Sequence, residues 1–182
     1  MSRVLVPLAQ GCEELEAVTI IDLLRRAQIE VVTAGLASGP VQCSRGTVLI
    51  PDTTLDEALK QDYDMIVLPG GQPGATNLEQ DARISALLKK MAAAGKFTAA
   101  ICAAPKVLAM AGLLDGKRAT NYPGAVDASA FPKIDFDSRA VVQDSKVITS
   151  RGPGTAMDFS LALIEALSGK TVRDKVETGL VR

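Results

Sequence analysis

Apolar runs and apolar stripes alternate along the chain with two different periods. Arg3–Leu8, Glu30–Ala34, Asp64–Leu68 and Phe97–Ile101 are short runs rich in Val, Ile, Leu and Ala, the pattern of strands buried on both faces. Between them, apolar residues recur at helical spacing. Glu13–Arg26 places Leu15, Val18, Ile21 and Leu24 along its length. Asp81 caps a helix whose Ile84, Leu87, Leu88 and Met91 follow i, i+3, i+4, i+7, and Gly95 stops it. Ala103–Ala111 reads as a helix ended by Gly112. Ala156–Leu167 is amphipathic and closed by Gly169, and a last short helix is expected over Val172–Thr178.

Two stretches interrupt this alternation. Val41–Thr53 reads as a polar-edged hairpin or excursion, followed by a short helix over Leu55–Leu59. Ala140–Gln143 and Val147–Ser150 read as a hairpin around Asp144-Ser145, and both excursions suggest added antiparallel strands. Residues 113–138, with Gly116, Pro123, Gly124 and Pro132, are expected to be irregular. Strands alternating with 10–15-residue helices imply βαβ units and a mostly parallel, doubly wound sheet. No repeat, linker or low-complexity segment divides the 182 residues, so one α/β domain over 1–182 is expected.

Composition narrows the chemistry. Histidine is absent, which removes Ser-His and Cys-His dyads, His-ligated zinc and any imidazole acid or base. Lys plus Arg is 20 and Asp plus Glu is 21, and aromatic residues are 3%, so neither a basic footprint nor a base-stacking surface for nucleic acid is expected. Arg25-Arg26 and Lys89-Lys90 read as solvated helix faces. The N-terminal apolar stretch Val4–Ala9 is broken by Pro7 and too short for a signal core, and no run is long enough to span a membrane. A cytoplasmic protein with reduced thiols is therefore expected: Cys12, Cys43 and Cys102 are odd in number and widely spaced.

Two phosphate motifs fail. Gly169-Lys170-Thr171 follows a long helix and has Ile164 where a phosphate loop needs glycine. Gly152-Pro153-Gly154 begins a dinucleotide pattern, but position 157 is Met. What remains lies at the carboxyl ends of three strands, where open α/β sheets bind ligands. These are Gly11-Cys12-Glu13-Glu14-Leu15-Glu16, Pro69-Gly70-Gly71, and Cys102 within Ala-Ala-Ile-Cys-Ala-Ala-Pro. A cysteine at a strand-to-helix turn is raised into the crevice like an elbow nucleophile, and a helix N-terminus behind it lowers its pKa. Gly70 and Gly71 can turn backbone N–H groups to the same spot. A cysteine among alanines is as readily a small buried hydrophobe. Helix-start preference accounts for Glu13 and Glu14 but leaves the face of Glu16 open. Cys12 and Cys43 read as structural or incidental.

Five ordered motifs together resemble the ThiJ/PfpI superfamily, in the small branch of the Parkinson-disease protein deglycase and bacterial YajL-like proteins. They are Gly11–Val18, Cys43-Ser44-Arg45-Gly46, Val67–Gly71, Ala100–Pro105 and Thr149–Thr155, and the match spans essentially the whole chain. The resemblance implies a flavodoxin-like α/β sandwich, a homodimer, and no metal or cofactor. It implies Cys102 as nucleophile, with Glu16 as the carboxyl hydrogen-bonded to its sulfur and raised in pKa. Gly71 and Ala103, with Gly70 beside them, would present the backbone donors. Arg26 and Arg45 resemble the family's basic residues near the dimer interface and pocket mouth, where Glu13, Glu14, Gly152 and Pro153 are also placed. Many relatives carry a histidine beside the cysteine; here the string is Thr120-Asn121-Tyr122-Pro123, so Tyr122 takes its place. Tyrosine has a pKa near about 10 and is a poor proton shuttle at neutral pH. The implied functions are action on reactive dicarbonyls or their adducts on glycated proteins, or redox sensing and chaperoning through a Cys102 sulfinate held by Glu16. Proteolysis is disfavoured without a histidine.

Overall fold

A computed structural model describes residues 1–182. The chain runs β1 (Arg3–Leu8), α1 (Glu14–Arg26), β2 (Glu30–Gly35), β3 (Val41–Gln42), β4 (Val48–Leu49), β5 (Thr53–Thr54), α2 (Leu55–Ala58), β6 (Met65–Leu68), α3 (Gly74–Gln80) and α4 (Ala82–Ala93). It continues through β7 (Phe97–Ile101), α5 (Pro105–Met110), β8 (Arg118–Ala119), β9 (Asp135–Phe136), β10 (Val141–Asp144), β11 (Val147–Ser150), α6 (Ala156–Ser168) and α7 (Lys170–Gly179).

Seven strands form the main sheet, in the order β10-β11-β7-β6-β1-β2-β5. All neighbours are parallel except β10, which lies antiparallel on β11. Successive side chains of β1 therefore feed two cores. Val4, Val6 and Leu8 join the apolar residues of α1, α6 and α7 on one face. Leu5 joins those of α2, α4 and α5 on the other. This explains why the strands read as continuous apolar runs. α1 and α6 pack side by side, with α7 against α6. No helix is long and apolar enough to cross a membrane. The flavodoxin-like α/β class expected from the sequence is the one observed, with a small antiparallel sheet beside it.

Local differences have physical causes. The excursion at 41–53 is half a hairpin: β3 and β4 pair antiparallel, but Thr53–Thr54 joins the main sheet as a parallel edge beside β2. The helix expected over Ala103–Ala111 begins only at Pro105, because proline fits the first helical position and Cys102–Ala104 form a turn. α3 was not anticipated, since only Gly74, Ala75 and Leu78 of its seven residues are buried and no periodic stripe develops. Residues 113–138 are largely irregular, as expected, apart from the two-residue strand pair β8–β9.

Candidate functional site

The carboxyl ends of β1, β6 and β7 converge, and each delivers one part of a site. β7 ends at Ile101, and Cys102 follows with φ 65°. A non-glycine residue in the left-handed region is held there by its surroundings. The Cys102 N–H donates to the Ser150 carbonyl at 3.0 Å, and its own carbonyl accepts from the Tyr122 N–H at 2.8 Å. Cys102 is left 8% exposed.

α1 follows β1 through the turn Gly11–Glu13. Its first turn points Glu16 inward, where the residue is fully buried. One carboxylate oxygen, Oε2, accepts the Gly70 N–H at 2.8 Å; the other, Oε1, has no hydrogen-bond partner. A methyl group at Gly70 would lie 2.7 Å from Cys102 Cβ and 2.8 Å from Glu16 Oε2. The carboxyl and the thiol thus face each other across the space a glycine leaves open. Gly70→Ala is expected to push the two apart, costing about 1–3 kcal/mol of stability and changing the rate of Cys102 alkylation. An unchanged alkylation rate would show that the close approach is not required.

Burial pushes the Glu16 carboxyl up to about 7, against the opposing pull of the Gly70 N–H and the Cys102 side chain. Burial, and then the Glu16 charge, push the Cys102 thiol up to about 12. The Gly71 and Ala103 backbone amides act in the other direction, toward thiolate. The sequence led us to expect a thiol made acidic by a helix N-terminus. Instead α5 is only six residues long and begins three residues beyond the sulfur, so burial and the neighbouring carboxylate outweigh the amides. The two groups titrate as one unit. The first proton is lost near neutral pH, and the one that remains sits mainly on the Cys102 sulfur, with only a minor, fixed share on Glu16.

The glycines are demanded by contact. Gly71 has φ 85°, and a Cβ there would sit 2.4 Å from the Glu13 nitrogen. Glu13 N–H donates to the Gly70 carbonyl at 2.9 Å, so the Gly11–Glu13 turn stacks directly on the Gly70–Gly71 segment. Glu13 and Glu14 hold the β3–β4 loop above it. Ser44 Oγ donates to Glu13 Oε2 at 2.8 Å, and the Arg45 and Thr47 N–H groups donate to the Glu14 carboxylate at 3.0–3.2 Å. The Arg45 guanidinium stands 3.9 Å from Glu13, largely in solvent.

Tyr122, half-exposed, lies against Gly152, whose added Cβ would meet its ring at 3.2 Å. With Pro123, Arg151, Pro153 and Thr155 they line an open pocket of about 300 Å³ beside the Cys102 backbone. Arg26 is different. It closes the last turn of α1, paired with Asp22 at 3.1 Å, roughly 15 Å along the helix from Glu16 at about 1.5 Å per residue. Sequence reasoning missed Ser44, Arg151 and Thr155. All three lie inside motifs already singled out, but nothing in their spacing shows that Ser44 bonds Glu13 or that Thr155 bonds Ser150 at 2.7 Å. No group of three or more His, Cys, Asp or Glu side chains converges as a metal-binding cluster.

Comparison with known proteins shows what the whole chain and its fold are similar to. The DJ-1/PfpI family model matches residues 2–166. The chain is 43% identical over 182 residues to the Parkinson disease protein 7 homolog of Danio rerio, covering 98% of this chain and 96% of that protein. It is 34% identical over 160 residues to the glutathione-independent glyoxalase DJR-1.2 of Caenorhabditis elegans, covering 88% and 85%. A crystal structure of Drosophila melanogaster DJ-1beta superposes with a TM-score of 0.93 at 41% identity, over 100% of this chain and 98% of that one.

Proposed function

The chain belongs to the DJ-1/PfpI family, and on that premise we propose that it is a stress-protective, cysteine-dependent protein that converts small reactive dicarbonyls to hydroxy acids. The observation that carries the reading is the buried Glu16 carboxyl, with one oxygen unpartnered, set beside the Cys102 side chain at Gly70. The relative named a glutathione-independent glyoxalase supports the substrate class.

The chemistry needs no added group. With methylglyoxal, the Cys102 thiolate attacks the aldehyde carbon, and the carbonyl oxygen takes up a proton to give a hemithioacetal. The Gly71 and Ala103 amides stabilise the charge on that oxygen. Ionised Glu16 removes the proton from the former aldehyde carbon and returns one to the adjacent carbon through an enediol. The product is a thioester, which water hydrolyses to lactate and free thiol. On hemithioacetals and aminocarbinols of glycated proteins the bond from the former aldehyde carbon to the protein sulfur or nitrogen breaks, the protein thiol or amine leaves with a proton, and the Cys102 sulfur takes its place to give the same hemithioacetal, which is deglycation. Half-exposed Tyr122 stands where many relatives carry a histidine, and Glu16 is the acid and base on which turnover rests. The reading includes a homodimer: exposed Leu15 and Val18 share one face of α1, and Val18 and Ile50 line one surface depression. The test is lactate formation from methylglyoxal, with Cys102→Ser as control.

A second reading shares the same two residues. Peroxide oxidises Cys102 through sulfenic to sulfinic acid, and a protonated Glu16 Oε1 donates to one sulfinate oxygen, ending its unpartnered state. This redox or chaperone role needs no base and so is indifferent to the missing histidine. On peroxide titration, intact masses are expected to gain two oxygens on Cys102 before Cys12 or Cys43 reacts. Oxidation of those thiols first would contradict it.

A further inference from the structure

Cys12 and Cys43 are 31 residues apart in sequence, yet their sulfurs lie 3.6 Å apart, in van der Waals contact. Both thiols are free. Cys12 is wholly buried and Cys43 is 4% exposed, within an otherwise apolar cluster. Two backbone hydrogen bonds bracket the pair: Gly11 N–H to the Gln42 carbonyl and Ser44 N–H to the Cys12 carbonyl, both at 2.8 Å. The two segments are therefore already in register, and side-chain rotation has to close the sulfurs only to about 2.05 Å.

From this geometry we infer that Cys12 and Cys43 form a second redox site, which a low-molecular-weight disulfide converts to an intramolecular disulfide independently of Cys102. The exchange starts at Cys43, the sulfur nearer the surface, at the foot of the β3–β4 loop. Its thiolate attacks one sulfur of the oxidant, and the other sulfur leaves as a thiolate and takes up a proton. The Cys12 thiolate then attacks the Cys43 sulfur of the mixed disulfide, and the second small thiol leaves. The protein loses two electrons and two protons; the oxidant gains both and becomes two thiols. Burial raises both protein thiols, so the step proceeds through local opening of the loop and is slow.

The bond would tie the β3–β4 loop to the layer under the site. A Cβ on Gly74 would lie 2.6 Å from Cys12 Cα, and one on Gly71 would lie 2.9 Å from the Cys12 carbonyl carbon. Cys12 is thus packed against the Gly70–Gly74 segment, and Ser44, next to Cys43, bonds Glu13. Oxidation is expected to slow amide exchange at Arg45 and Thr47 by about tenfold or more, because the loop can no longer open from Cys12.

The test uses the full chain, as wild type and as Cys102→Ser, incubated with oxidised glutathione. Both are expected to lose the mass of two hydrogens, to yield a Cys12–Cys43 linked peptide, and to recover on reduction with dithiothreitol. Cys12→Ala is expected to stop at glutathione on Cys43. The inference is overturned if Cys12 and Cys43 stay alkylatable, if glutathione persists on Cys43 with Cys12 present, or if the link forms only with Cys102 intact. Because Cys102→Ser is included, failure here is distinguishable from failure of the dicarbonyl reading.

Discussion

Cys102→Ser is expected to bring lactate formation from methylglyoxal down to the rate of protein-free buffer, a loss of at least about a thousandfold. Serine keeps the size of the side chain but not its nucleophilicity, because a hydroxyl with no histidine beside it stays protonated. The chain has no histidine to recruit. The elbow itself is held by backbone bonds, Cys102 to Ser150 and Tyr122 to Cys102, which serine leaves in place. The melting temperature should therefore shift by no more than about 1 kcal/mol implies. Lactate formation that persists in this variant at an unchanged melting temperature would remove Cys102 from the chemistry.

Glu16→Gln is expected to separate stability from activity. The folded protein holds the Glu16 proton up to about pH 7, while the ordinary value is 4.5. Between these two values the native state keeps a proton that the unfolded state has released, so raising the pH disfavours the native state. The stabilisation from the neutral buried acid is complete below about 4.5 and gone above about 7, a span worth about 3 kcal/mol. Glutamine stays neutral throughout, and its carbonyl can still accept the Gly70 N–H that Oε2 accepts now. Near pH 8 the variant should therefore be more stable than wild type by about 1–3 kcal/mol, with the difference fading toward pH 4. Lactate formation should fall about a hundredfold to ten-thousandfold, the usual worth of a positioned acid or base. Melting curves of the two proteins across pH, beside the lactate assay, check both halves. A wild type that gains stability from about pH 5 to 8 relative to the variant would reverse the assigned shift.

The order of β1, α1, β2, β6, α4, β7 and α6 was legible because each carries a period of its own: runs buried on both faces, or stripes at helical spacing. β5 and α3 were not, because two threonines at a sheet edge and a seven-residue helix with three inward residues carry no period. The site was legible as types at strand ends: Cys102, Gly70, Gly71 and Glu16. Its electrostatics were not. Whether Glu16 faces inward depends on the rotation of α1, and the upward shift of the Cys102 thiol depends on how completely the crevice excludes water. Likewise, the contact between Cys12 and Cys43 arises from the way the β3–β4 loop folds back onto the Gly11–Glu13 turn, a tertiary fact with no local signature.

The central claim is that Glu16 and Cys102 share one proton. It is tested most directly by the rate of Cys102 alkylation with iodoacetamide, followed from about pH 5 to 10 in wild type and Glu16→Gln, both carrying Cys12→Ala and Cys43→Ala. In the protein with Glu16, the rate should rise to about pH 7 and then level off, because beyond that point the single remaining proton is partitioned between the two groups at a fixed ratio. In Glu16→Gln it should keep rising tenfold per pH unit with no break near neutrality, as an isolated buried thiol does. Parallel profiles in the two proteins, both rising without a plateau, would contradict the shared proton and with it the assignment of Glu16 as the acid and base of the site.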